Sequence, residues 1–209
     1  LGGSGILGTS ILHFLSKHDF EIYSGDIKQA NVPFGKHIYA NILNKNEIPS
    51  IIYNMDIIIN CTGQITQPIK GCIEQNSKGI CNLINVLKEN TNIHLVQIST
   101  INVLGTILNE ADENSAINPE TPYSTAKAFA EVLITENIPS NKRTILRLSN
   151  LYGQSQNKGI INYLISSFNT GTNLVFNNNG DLNRFFIHVD DASRIITQFL
   201  KVGPFHGLY

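Results

Sequence analysis

Short apolar runs alternate along this chain with stretches whose apolar residues recur at helical spacing. Ile6 to Leu15 has that spacing, with Ile6, Leu7, Ile11, Leu12 and Leu15 on one side. Asp19 to Ser24 reads as a strand ending near Asp26, followed by a short strand over His37 to Ala40 and a helix near Asn46 to Tyr53. Asp56 to Asn60 is a continuous apolar run, the pattern of a strand buried on both faces. Glu74 to Leu87 reads as a helix with Ile73, Ile80, Leu83, Ile84 and Leu87 facing inward. Ile93 to Ser99 reads as the next strand, then a helix begins near Tyr123, and Thr144 to Leu148 forms a further strand. Strands alternating with helices predict the α/β class, a parallel sheet covered by helices on both faces. After Tyr152 the texture changes. Asn and Gly become frequent, as in Asn177 to Asp181, and the segment reads as loops and short elements of a smaller substrate-side region. The division expected is therefore 1–152 for the sheet domain, its first strand missing, and 153–209 for a truncated mixed segment that contributes to the substrate-binding region and supplies the last elements of the sheet domain.

Composition narrows the function classes. With 209 residues and a net charge of −1, the chain has room for one full domain and lacks the basic stripe that nucleic-acid binding needs. No apolar run approaches membrane-spanning length. Cys61, Cys72 and Cys81 fit neither a disulfide framework nor a metal spacing, and they read as buried free thiols of a reducing, cytoplasmic compartment. His13, His94 and His188 read as structural, and no metal is expected.

The opening run Leu1-Gly2-Gly3-Ser4-Gly5-Ile6-Leu7-Gly8 spaces Gly2, Gly5 and Gly8 three apart, directly before a helix. Glycines let the backbone turn sharply and approach a pyrophosphate, while the helix N-terminus offers N–H donors. Asp26 follows at about the distance expected of a ribose-binding acid. A carboxylate there accepts from both ribose hydroxyls and repels a 2′-phosphate, which favours NAD over NADP. A glycine turn of this kind needs a strand before it, and Phe205 to Tyr209 reads as a strand cut short, so the expectation is a fragment of a longer enzyme.

The richest chemistry lies in Pro122-Tyr123-Ser124-Thr125-Ala126-Lys127. Residues four apart share a helix face, which sets a phenol beside an ammonium. The cation favours phenolate and is expected to draw the Tyr123 pKa down from about 10, making it a proton carrier for a substrate hydroxyl.

In order along the chain stand Gly2-x-x-Gly5-x-x-Gly8, Asp26, Asn60-Cys61-Thr62-Gly63, Ser99-Thr100-Ile101-Asn102-Val103-Leu104-Gly105, Tyr123-x-x-x-Lys127, Arg147-Leu148-Ser149-Asn150-Leu151-Tyr152-Gly153 and Arg184 to Asp191. Together they resemble the extended short-chain dehydrogenase/reductase superfamily, and within it the NAD-dependent epimerase/dehydratase family, over nearly the whole chain. The resemblance implies a Rossmann-type doubly wound sheet, bound NAD and a nucleotide-sugar substrate. It makes Tyr123 the acid/base, Lys127 the group that tunes it and binds the nicotinamide ribose, and Thr100 the partner of the reacting hydroxyl. It places Gly2, Gly5, Ile6, Leu7, Gly8, Asp26, Asn41, Ile42, Cys61, Thr62, Gly63, Asn76, Ser99 and Leu148 along the cofactor. Thr100, Asn102, Asn150 and Arg184 would meet the substrate, the last two at its phosphates.

Departures bear on the substrate. Asn41 replaces a common Asp, Leu104 stands where Tyr is usual, and Phe185 where Asp is common. Family members that dehydrate hexoses carry an Asp-Glu pair after the hydroxyl residue. Ile101 and Asn102 stand here instead, and neither exchanges protons near neutral pH. The expectation is an epimerase working through a transient keto sugar. A nucleotide-sugar or other carbonyl reductase and a non-catalytic dinucleotide-binding protein are the alternatives. The resemblance also implies a homodimer built on Glu74 to Leu87 and Tyr123 to Asn137.

Overall fold

A computed structural model describes residues 1–29, 33–90, 92–107, 110–153, 156, 159–176, 183–203 and 207–209. Helix α1 (Ile6–Leu15) leads to β1 (Tyr23–Asp26), β2 (Lys36–Tyr39), α2 (Ile48–Ile52) and β3 (Ile57–Asn60). A broken helix follows: α3 (Ile69–Glu74), a π-turn over Gln75–Gly79, and α4 (Ile80–Glu89). Then come β4 (His94–Thr100), a 3₁₀ turn (Ile101–Leu104), α5 (Pro122–Asn137), β5 (Arg143–Leu148), β6 (Asn150–Tyr152), α6 (Ile160–Thr170), β7 (Phe186–His188), α7 (Val189–Val202) and β8 (Gly207–Leu208). Every strand pairing among the described residues is parallel: β1 with β2, β6 with β7, and the order β3-β4-β5-β8. Among the described residues no helix is long and apolar enough to cross a membrane.

Two apolar clusters cover the sheet's two faces. On one, Ile58, Leu95 and Ile145 of the strands pack with Ile48 and Ile52 of α2, Leu83 and Leu87 of α4 and Ile134 of α5. On the other, Val96, Ile98 and Leu146 pack with Leu7 and Ile11 of α1 and Ala192 and Ile196 of α7. Strand β4 is buried at every position, so successive side chains serve opposite clusters. Each such aliphatic side chain contributes roughly 1.5–3 kcal/mol on burial.

Between β1 and β3, Leu1 bridges strands that do not pair with each other. Its nitrogen donates to Ile59 O (2.7 Å), its carbonyl accepts from Cys61 N (2.9 Å), and Gly2 N donates to Gly25 O (2.8 Å). Below this bridge lies a slot of about 370 Å³ lined by Ile11, Leu15, Ile22, Ile57 and Ile59.

Several expectations need correction. Ile6 and Ile73 are exposed, because α1 and α3 turn those positions away from the sheet. The helix expected from Glu74 begins at Ile69, and its π-turn shifts the inward face. Strand β3 alternates half-buried and buried residues, and β4 is the strand covered on both sides. Cys81 is exposed and Cys61 is half-buried just past β3, while Cys72 is buried as expected. The segment after Tyr152, read as loops and short elements, holds two full helices, α6 and α7, and α7 packs on α1. Residues 177–181 lie outside the described residues. Of the expected last strand, Gly207–Leu208 joins β5, and Phe205 and His206 lie outside the described residues.

Candidate active site

Helix α5 is started firmly. The Thr121 hydroxyl accepts from Ser124 N (3.1 Å), the Ser124 hydroxyl accepts from Thr121 N (3.0 Å), and Pro122 occupies the first turn. This reciprocal cap fixes where Tyr123 stands. Tyr123, Lys127 and Glu131 then recur every four residues along one stripe, and the last two are buried.

The stripe ends in different chemistry at each step. The Tyr123 hydroxyl donates to the Gln64 side-chain oxygen. The fully buried Lys127 ammonium donates to Thr62 O and Ile98 O, both at 3.1 Å. The Glu131 carboxylate takes the Arg147 guanidinium (2.8 Å) and the Ser99 hydroxyl. Burial pushes the Tyr123 phenol above its ordinary pKa, with the Cys72 thiol adding to the rise and Gln64 opposing it. Burial also lowers Lys127 to about 8, against the influence of Cys61, Cys72 and Glu131. The direction at Tyr123 is opposite to the one expected from its spacing to Lys127. Desolvation of the phenolate dominates, and the Lys127 hydrogen bonds go to two backbone carbonyls instead of the phenol.

Tyr123 and Thr100 line one cleft of about 1340 Å³, together with Asn102, Leu148, Asn150 and Arg184. The structure therefore gathers every predicted substrate residue along one cavity. Thr100 caps the 3₁₀ turn, its oxygen accepting from Asn102 N (3.3 Å). The Asn150 amide is committed to Phe185 O (3.0 Å), which ties β6 to β7 and sets the flank from which Arg184 projects. Ser99 lines the same cavity, but its hydroxyl is spent on Glu131.

Of the cofactor residues, Ser99 and Leu148 line this cleft, while most of the others stand where the chain leaves β1, β2 and β3 or in the turn before α1. Gly2 has φ +78°, and a Cβ on Gly8 would lie 2.3 Å from the Gly2 carbonyl oxygen. Only glycine fits a turn so close to the first turn of α1. No side chain caps α1 and no acid sits in its first turn, so its leading N–H groups and positive dipole end suit a diphosphate. Asp26 accepts from Ser4 N and Lys28 N, each at 3.0 Å, one per oxygen. A carboxylate keeps further lone pairs for ribose hydroxyls. The Asn41 oxygen accepts from Leu43 N (3.0 Å), Ile42 is buried, and both lie where the chain leaves β2. Asn76 is buried and spends its amide on Gly63 O (3.0 Å) and Cys72 O (2.9 Å), so it shapes the Gly63 turn. The residues present fit NAD.

Sequence reading assigned no role at this site to Gln64, Glu131 or Cys72, and Arg147 figured only as the first residue of a motif. Glu131 carried a signal, an acid one helical turn past Lys127 in an apolar helix. Gln64, in a loop, carried none. Among the described residues no group of three or more His, Cys, Asp or Glu is placed to hold a metal ion.

The family model described as the NAD dependent epimerase/dehydratase family matches residues 1–205. A dTDP-D-glucose 4,6-dehydratase of Dictyostelium discoideum is 25% identical, over 93% of this chain and 46% of its own length. The chain thus spans about half of that relative. The dTDP-glucose 4,6-dehydratase of Bacillus anthracis, solved in complex with NAD, superposes with a TM-score of 0.83 at 24% identity, covering 100% of this chain and 72% of that one. The UDP-glucose 4-epimerase of Thermotoga maritima, solved with UDP-glucose, superposes with a TM-score of 0.78 at 18% identity, covering 92% and 69%. At these identities the structural matches establish the fold.

Proposed function

The chain belongs to the NAD-dependent epimerase/dehydratase family, and we propose that it forms the catalytic core of an NAD-dependent nucleotide-sugar epimerase working through a transient keto sugar. The observation that carries this reading is the cleft's inventory of proton carriers. Among its described lining residues there is no Asp, Glu, His, Lys or Cys. The ionisable groups are the phenols Tyr123, Tyr152 and Tyr163 and the guanidinium of Arg184. Eliminating water needs one group to protonate the leaving hydroxyl and another to take a carbon-bound proton. Ile101 and Asn102 provide neither. Oxidising and re-reducing one carbon needs a single carrier, and Tyr123 suffices.

NAD, when bound, supplies the acceptor and donor of hydride. Tyr123, after releasing its own proton to solvent, takes the sugar hydroxyl's proton as phenolate and later returns it. Thr100 holds that hydroxyl, since its own oxygen already accepts from Asn102 N and its O–H remains to donate. Lys127 keeps positive charge beneath the phenol, and Arg184 presents a planar fork suited to a diphosphate.

The test is to purify the protein, measure retained NAD, and offer UDP- and dTDP-hexoses at equilibrium. Epimerisation predicts interconverted sugars with no accumulation of reduced nicotinamide. Stoichiometric reduction of cofactor would make it a dehydrogenase, and a 4-keto-6-deoxy product would make it a dehydratase. Thermal stabilisation by the matching nucleotide, which grows with ligand concentration relative to Kd, identifies the base.

A homodimer is part of the same proposal. Ile69 and Ile73 on α3 and Phe129 and Val132 on α5 are exposed by 42%, 50%, 50% and 49%, an apolar strip across adjacent helices. Sedimentation at micromolar concentration should give a dimer, and a monomer there would refute it.

A further inference from the structure

We propose that Gln64 is a positioning residue whose amide follows the Tyr123 proton, accepting from the phenol and, after rotating about its last torsion, donating to the phenolate. This rests on the reading of Tyr123 as the acid/base.

The geometry begins in the broken helix. The π-turn after α3 carries Gln75 and Asn76 toward the end of β3. Gln75 accepts from Gly63 N (2.9 Å) and Asn76 donates to Gly63 O (3.0 Å), so both polar groups of one peptide residue are pinned by side chains. Gly63 itself has φ +78°, and a Cβ there would stand 2.6 Å from the Asn76 amide oxygen. The next residue is thereby aimed, and the Tyr123 hydroxyl meets its amide oxygen. Gln64 is exposed on the cleft wall, which leaves the amide room to turn.

An amide is the one uncharged side-chain group carrying both an acceptor and two donors on neighbouring atoms. The observed contact serves the protonated phenol. Turned over, the same amide offers an N–H to phenolate, and a hydrogen bond to an ion is stronger than one between neutral groups. On balance Gln64 favours phenolate formation. The other titratable groups around the phenol are Cys72 from α3, which disfavours the phenolate, and Lys127, itself beside Cys61, Cys72 and Glu131. Lys127 cannot accept from the phenol without losing its own proton, and the Cys72 thiol is only a weak donor and a weak acceptor. The Lys127 hydrogen bonds run to Thr62 O and Ile98 O.

The experiment compares Gln64→Met and Gln64→Glu with the parent chain. The phenolate of Tyr123 is titrated by near-ultraviolet difference against Tyr123→Phe in each background. Met keeps the side chain's length but neither accepts nor donates well, and the Tyr123 pKa should rise by about half to one unit. Glu accepts but cannot donate once ionised, and its charge should raise the pKa further. The acidic limb of kcat/KM should move up by the same amounts. At neutral pH the Met variant then loses roughly 3- to 10-fold and recovers as pH passes the shifted limb. A Met variant with an unchanged or lowered pKa, or with an equal loss at every pH, overturns the proposal. The absorbance titration reads Gln64 even if no sugar is turned over, so a failure of the epimerase reading remains distinguishable. Should the Met variant not fold, Gln64→Leu, which likewise has neither donor nor acceptor, takes its place: a raised Tyr123 pKa supports the proposal, and an unchanged or lowered one overturns it.

Discussion

Replacing Tyr123 by Phe should lower turnover by about 10²- to 10⁴-fold, the range that a positioned proton carrier supplies. The change removes one oxygen from a side chain whose place is fixed by other means. The capping box of Thr121 and Ser124 sets the helix start, and the ring is half-buried in the cleft wall. The backbone and ring should therefore stay where they are. NAD affinity should change little, because the residues suited to it, Gly2, Gly8 and Asp26, stand at the tops of α1 and β1. KM should move less than kcat, since the phenol's proton transfer matters most in the transition state. The measurement is steady-state interconversion of the sugar across pH, with NAD content measured on the same preparation. Loss of turnover with full NAD content is the expected result. Wild-type turnover in Tyr123→Phe would remove Tyr123 from the chemistry, whereas absence of turnover in the parent chain as well would favour a dinucleotide-binding protein without catalysis.

The parts of this architecture that the sequence discloses are those fixed by local period. Helices α1 and α5 appear as apolar patterns because one face of each is covered, and strands β3 to β5 appear as short continuous apolar runs because they feed the clusters on both faces of the sheet. The glycine turn is legible because its steric demand falls on three nearby residues. Helix α7 does carry an apolar stripe, Val189, Ala192, Ile196, Phe199 and Leu200, but it follows an Asn- and Gly-rich stretch whose texture reads as loop. Helix α6 is hidden differently: its apolar residues Ile165 and Phe168 face outward, so their spacing does not point to a core. The Tyr123–Gln64 contact joins residues 59 apart and depends on a π-turn with no signature of its own. The direction of the Tyr123 pKa escapes a reading of spacing for a related reason. Spacing discloses that Lys127 shares a face with Tyr123, but the desolvation that dominates arises only once β3, α3 and α5 close around it.

Glu131→Ala should be the most destabilising single change beneath the site, by about 3–5 kcal/mol, because it leaves a buried guanidinium without its partner. The Arg147 and Glu131 side chains are 6% and 4% exposed, and the guanidinium reaches both carboxylate oxygens, through Nε at 3.2 Å to each and Nη2 at 2.8 Å. Ser99 gives its hydroxyl to the same carboxylate. One acid therefore ties α5 to β4 and β5 at the level where Tyr123, Thr100 and Leu148 must share a cavity. For a chain of this length that loss lowers Tm by roughly 6–20 °C. Glu131→Gln keeps the shape and one acceptor, and it should cost less. Replacing the pair together, as Glu131→Leu with Arg147→Met, should recover much of the stability, since a buried ion pair is often matched by apolar residues of similar volume. Chemistry offers a separate readout. Glu131 supports the charge on Lys127, so its removal should drive the Lys127 pKa below about 8 and thin the positive charge under the phenol at neutral pH. The double replacement should then fold well and still turn over poorly. If stability and turnover return together, the carboxylate is only a strut, and the electrostatic link from Glu131 through Lys127 to Tyr123 is wrong.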